Sequence, residues 1–149
     1  MDQFRRQEGF TLIEMILVVA IIALLAGFGV PIYYSFLAKN DLEVAAGTTT
    51  QLLRRAQLNS QAMVGDSSWG VKVQNSGATL FKGTSYSAVR DTSGDEVFSF
   101  ANNLIVSDLT EILFTKFTGV VSTVGTTTLT LPSGELKNIT INSQGVVNY

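Results

Sequence analysis

The chain has 149 residues and a formal net charge of −2, which allows one modest domain and indicates neither a nucleic-acid coat nor an acidic tail. It contains no Cys and no His. Disulfides, thiolate chemistry, haem, His-ligated zinc and any Ser-His or Cys-His nucleophile are thereby excluded.

The first nine residues are polar and include Arg5 and Arg6. Arginines ahead of an apolar run hold the preceding segment in the cytoplasm. From Met15 to Ala38 there are 24 consecutive positions without a charge. As a helix that run measures about 36 Å, against a bilayer hydrocarbon core of about 30 Å. It is too long for the apolar region of a secretory signal, and Ala23-Leu24-Leu25-Ala26 fits a small-residue cleavage site poorly. The Arg5-Arg6 pair abuts Gln7-Glu8 rather than an apolar region, unlike a twin-arginine signal. A plain signal anchor accounts for the arginines and the run but leaves Glu14 unexplained. A carboxylate inside a spanning segment costs about 2.5–3.5 kcal/mol on insertion scales.

The string Gly9-Phe10-Thr11-Leu12-Ile13-Glu14 resembles the processing site of type IV prepilins, with the basic leader before it and the apolar helix after it. The resemblance implies cleavage between Gly9 and Phe10 by a prepilin peptidase, and N-methylation of the new Phe10 amine. It also implies an assembly role for Glu14, which would offer its carboxylate to the Phe10 amine of a neighbouring subunit. A peptidase that grips backbone near the membrane surface would favour a residue without a Cβ at Gly9.

After Glu14 the pattern is apolar on all faces through Leu25. Gly27, Gly29 and Pro31 follow, and Pro31 cannot donate to the carbonyl of Gly27. The stretch 26–32 is therefore expected to be weak, as a kink, and in the resemblance as a segment that melts in the filament. From Lys39, the residues Leu42, Ala45, Thr49, Leu52, Ala56 and Met63 form one mostly apolar stripe. Glu43, Gly47, Thr50, Arg54, Gln57 and Gln61 line the opposite face. The reading is one helix from Phe10 to Val64, about 80 Å long, whose second half lays one face on a sheet.

Beyond Gly65-Asp66-Ser67-Ser68 the period becomes alternating. Strands are expected at 69–73, 78–82, 97–100, 104–106, 112–117, 127–131 and 136–141, with a last one beginning at Val146-Val147. They would form an antiparallel sheet or a small sandwich. The residues Phe114 to Gly119, Thr127 to Leu131, Asn138 to Asn142 and Gly145 to Val147, with Arg54-Arg55-Ala56-Gln57 on the helix, resemble GspH/FimT-like minor pilins and pseudopilins. The missing cysteines depart from many major type IVa pilins.

Asp91, Asp95 and Glu96 could offer oxygen ligands to calcium, but their spacing lacks a known loop pattern and a solvated acidic loop is the blander reading. Trp69 reads as core. No phosphate loop is visible and nothing supports an enzyme or a cofactor.

The sequence thus reads as an α+β, pilin-like chain: a leader at 1–9, a transmembrane and assembly half-helix at 10–38, and a head at 39–149. In the head, a helix at 39–64 packs on an antiparallel β region at 69–149. The expected function is a filament subunit of a type IV pilus, a competence pilus or a type II secretion pseudopilus. Its partners would be a prepilin peptidase, other pilin or pseudopilin subunits, the inner-membrane assembly machinery and the lipid bilayer. The alternative is a monomeric anchored module whose head recognises a surface, a protein or DNA, although no basic stripe supports nucleic acid.

Overall fold

The computed structural model describes residues 9–87, 89–101 and 104–149, without the side chains of 28–31. Met1 to Glu8, most of the expected leader and including Arg5 and Arg6, lie outside the described residues. The chain divides into two units, Met1–Leu37 and Ala38–Tyr149. The first holds the N-terminal part of helix α1, which spans Leu12–Gln61 as one element. Its side chains from Leu12 to Gly27 are all exposed.

The second unit holds the rest of α1 and eight strands. These are β1 (Trp69–Gln74), β2 (Gly77–Lys82), β3 (Glu96–Ser99), β4 (Ile105–Asp108), β5 (Glu111–Phe114), β6 (Gly125–Thr130), β7 (Leu136–Ile141) and β8 (Val147–Asn148). They make two antiparallel four-stranded sheets, ordered β3-β2-β1-β5 and β4-β6-β7-β8. Leu109 and Thr110 carry the chain from β4 in one sheet to β5 in the other. The fold is α+β with the long N-terminal helix and antiparallel sheets of a pilin-like arrangement.

One core joins α1 to both sheets. Two adjacent rows of the helix are buried, one of Leu42, Ala45, Thr49, Leu52 and Ala56, the other of Ala46, Thr50, Leu53 and Ser60. The buried face is therefore wider than the single expected stripe, and Thr50 belongs to it rather than to solvent. Met63 also departs from expectation and is exposed. The helix stops at Gln61, and Met63, Gly65 and Asp66 all take left-handed φ angles that turn the chain away from the helical path. Ser60 stitches this corner: its Oγ accepts the Trp69 N–H at 2.9 Å and donates to the Phe114 carbonyl at 3.1 Å. Trp69 is buried, as expected, and its Nε1 donates to the Val64 carbonyl at 2.9 Å.

Strand β7 coincides with its expected bounds, while others shift by a few residues. The expected strand at 112–117 ends at Phe114, because Phe117 has φ 74° and Thr115 to Gly119 form a turn. The segment expected at 97–100 starts and ends one residue earlier, and Phe100 drops into the core. Neither β1 nor β2 alternates in burial. Phe81 explains this. It is fully buried yet outside the main core, with its ring lying where a Cβ on Gly70 would stand. Tyr86 meets its edge at 5.3 Å, and the Arg90 guanidinium stacks over both rings, 5.4 Å from Phe81 and 4.3 Å from Tyr86. The loop between β2 and β3 thus closes the second face of the first sheet.

Candidate functional site

Gly9, Phe10 and Thr11 precede the helix and have no regular structure. Phe10 is 81% exposed. Among the described residues, a Cβ added to Gly9 would meet nothing within 4 Å. Thr11 is the N-cap of α1: its Oγ1 accepts the Glu14 N–H at 3.3 Å, and its carbonyl accepts the Met15 N–H at 3.2 Å. The pattern Thr-x-x-Glu is that of a capping box, in which one of the helix's orphan donors is satisfied by the cap side chain. Sequence reading treated these residues only as a processing string and missed the cap, although its spacing was legible. Glu14 stands in the first helical turn, where a carboxylate is favoured by the helix dipole. The scissile position expected from sequence is therefore exposed and outside the helix, and the helix starts two residues later.

Gly27, Gly29 and Pro31 all lie within α1. Around Gly27 there is open space. By length and composition, α1 is a helix able to cross a membrane.

Of the acidic trio in the head, Asp91 is exposed and Glu96 partly so, while Asp95 is mostly buried. Both Asp95 oxygens pair with the Arg90 guanidinium at 2.5 Å, and that pair is mostly buried. Glu96 pairs with Arg55 of the helix at 2.5 Å. Asp91 accepts the Ser93 N–H at 3.0 Å. The Asp95 bond, more than the other contacts, raises the Arg90 pKa above its ordinary value, and the Ser93 N–H lowers that of Asp91. No group of three or more metal-ligating side chains occurs among the described residues. The lysines and arginines of the head are similarly committed. Of these, Arg54 and Lys82 alone lack a carboxylate partner among the described residues.

The residues of the looser resemblance do converge. Gln57 Nε2 donates to the Gly119 carbonyl at 3.2 Å and the Gln144 carbonyl at 3.0 Å. One helix residue thus pins the glycine loop and the final hairpin together.

Residues 4–30 match the family model of the prokaryotic N-terminal methylation motif. The chain carries a prokaryotic N-terminal methylation motif. It is also 37% identical over 68 residues to a type IV major fimbrial protein FimA of Dichelobacter nodosus, a stretch covering 43% of this chain and 42% of that relative. A FimA from strain VCS1703A of the same organism is 40% identical over 55 residues, 37% of this chain and 34% of the relative. The chain thus spans less than half the length of these curated relatives. No solved structure matches it.

Proposed function

We propose that this chain is a structural subunit that polymerises through its N-terminal helix into a pilus or pseudopilus filament. The observation that carries this reading is the N-terminal constellation. An exposed Gly9-Phe10 bond precedes a capped helix whose first turn holds Glu14 and whose following side chains are apolar and unpartnered. A prepilin peptidase hydrolyses the Gly9–Phe10 bond on the cytoplasmic side, and the freed Phe10 amine is methylated. In the inner membrane the helix spans the bilayer with the head outside the cytoplasm. On assembly, the Glu14 carboxylate pairs with the Phe10 amine of a neighbouring subunit, which offsets the cost of holding a charge in lipid and sets the axial register. The stretch 26–32, weakened by Gly27, Gly29 and Pro31, unwinds in the filament. The head is read as GspH/FimT-like, of minor pilin or pseudopilin type, on the convergence of Gln57 with the glycine loop and the last hairpin. The role is structural, with no catalytic residue and no cofactor.

The cap makes the decisive experiment clean. Glu14→Val keeps the backbone N–H that Thr11 binds, so the helix start survives and the variant reports on the carboxylate. Leader removal and membrane level stay near normal, with the mature mass that of a chain beginning at a methylated Phe10. The ratio of sheared-filament to membrane-pool protein falls more than about ten-fold, since an ammonium buried without its partner costs roughly 3–5 kcal/mol. Glu14→Asp is intermediate. Equal ratios for all three forms would falsify the assembly role and favour a monomeric anchored module.

A further inference from the structure

Between Glu14 and Tyr33 no side chain carries a charge, a hydroxyl or an amide. The next polar side chains come together, as Tyr33, Tyr34 and Ser35, and three apolar residues then separate them from Lys39. All lie on α1 and, Lys39 apart, within the first unit. Tyr33 is 63% and Tyr34 65% exposed, and their rings meet edge to face with centroids 6.1 Å apart. Successive helical positions are rotated by about 100°, so the pair covers a broad arc of the helix rather than one narrow stripe. Two outer boundaries compete for the span. If the hydrocarbon reached Lys39, an uncharged run of about 36 Å would have to fit a core of about 30 Å. The hydroxyls of Tyr33, Tyr34 and Ser35 would then lie in lipid, where water cannot meet them. If the hydrocarbon ends at the tyrosines, Glu14 and Tyr33 mark its two edges, about 28 Å apart along the helix. Met15 to Ile32 then fill the core without one polar side chain. Length and polarity agree on the second boundary.

We propose that Tyr33 and Tyr34 form a lipid-headgroup anchor, whose rings lie in the outer headgroup layer and fix how deep α1 sits in the bilayer. The proposal rests on the membrane-spanning reading above and adds its register. A tyrosine ring has an apolar body and a polar tip, which suits the boundary between hydrocarbon and headgroups. Helical side chains lean toward the helix N-terminus. At the outer end this lean lays the two rings back over the hydrocarbon edge while their Cα atoms stay outside it. At the inner end the same lean carries the Glu14 carboxylate toward the cytoplasmic headgroups. Fixing the outer end therefore fixes the inner one. Glu14 comes level with the inner boundary, and the Gly9–Phe10 bond lies beyond it, where a peptidase can reach it. The charge enters the hydrocarbon only when the helix is drawn outward to join a filament.

The chain has no native cysteine, so single-cysteine variants report depth directly. The full-length chain carrying Ser35→Cys, Leu25→Cys or, in the head, Ser107→Cys is reconstituted into dioleoylphosphatidylcholine vesicles. Labelling by a membrane-impermeant maleimide is followed for the chains whose heads face outward. Ser35→Cys is expected to label within about five-fold of the Ser107→Cys rate and at least about ten-fold faster than Leu25→Cys. Replacing both tyrosines with leucine extends the apolar run to Leu37, so the helix sinks and Ser35→Cys labelling falls at least about five-fold. Tyr33→Trp with Tyr34→Trp, which keeps an amphipathic ring at each position, holds the original rate. Three results overturn the proposal alone: Ser35→Cys as protected as Leu25→Cys, a rate unchanged by the leucine pair, or a rate that rises when the protein is diluted in lipid. The last would mean that the tyrosines cover another chain rather than headgroups. Rapid labelling of Leu25→Cys would overturn the membrane-spanning reading itself, and the anchor with it.

Discussion

Thr50 and Ser60 lie on the same buried row of α1 and have opposite hydrogen-bond accounts. The Thr50 hydroxyl is buried and has no partner among the described residues. The Ser60 hydroxyl is buried and bonds two groups from two different strands. Removing an unsatisfied buried hydroxyl takes away a desolvation penalty, whereas removing a satisfied one orphans its partners at about 1–3 kcal/mol each. Thr50→Val is therefore expected to stabilise the head by up to about 1–3 kcal/mol, helped by the similar shape of the two side chains. Ser60→Ala is expected to destabilise it by a similar amount or more, since the Trp69 N–H and the Phe114 carbonyl both lose a partner. Thermal melts of the detergent-solubilised chain, followed through the near-ultraviolet signal of Trp69, check both. Two changes of the same sign would show that volume, not hydroxyl satisfaction, governs this row. Neither role was readable from sequence: Thr50 falls on the polar side of a single-stripe helix, and only a second buried row brings it inside.

At the scale of elements, α1 is tied to β7 and the turn before it by two ion pairs of reversed sense. Lys39 meets Glu135 at 2.8 Å and Glu43 meets Lys137 at 2.6 Å. The helix residues are four apart and the strand-side residues two apart, matching one helical turn to one strand repeat. Any slide of the helix along β7 by a turn would bring like charges together. Both pairs are substantially exposed, so a double-mutant cycle of Glu43→Ala and Lys137→Ala is expected to give a coupling of only about 0.2–1 kcal/mol. The coupling should vanish in about 1 M salt, where the screening length is near 3 Å. A coupling that persists in salt would mean the two side chains act through packing. Burial alternates most cleanly where a strand has one wet face. Strand β7 alternates cleanly because Ile139 and Ile141 face the core while Asn138 and Thr140 face solvent. In contrast, β1 and β2 lie within one residue of their expected bounds but are covered on both faces, the second by a loop with no periodicity of its own, so their burial lacks the expected alternation. The N-terminal string was legible because its chemistry is local, and so was the unread cap at Thr11.

For the molecule as a whole, the exposed carboxylates predict how stability follows pH. The Lys116 ammonium, at 2.5 Å, holds Asp66 below the ordinary aspartate value of 3.8, chiefly by hydrogen bonding. Asp91 is lowered by the Ser93 N–H. Glu135 is lowered from its ordinary 4.5 first by its hydrogen bond to Lys39 and then by Ser133. Each folded-state value lies beneath the unfolded one, so the folded chain holds its protons less tightly. The stabilisation is complete above the unfolded values, at about pH 5 and upward, and is lost as pH falls through the folded values, below about 4. All three groups are solvated, so the total change is small and its origin is better tested than its size. Asp66 and Glu135 depend on lysines and are screened by salt, whereas Asp91 depends on a backbone N–H and is not. Melting temperature measured from pH 7 to pH 3 should therefore be flat above about pH 5 and fall below it, with a shallower fall at high salt. Asp66→Asn and Glu135→Gln should flatten the low-salt curve toward the high-salt one, and Asp91→Asn should reduce the part that salt leaves. A fall that begins above pH 6, or one that salt steepens, would contradict this account.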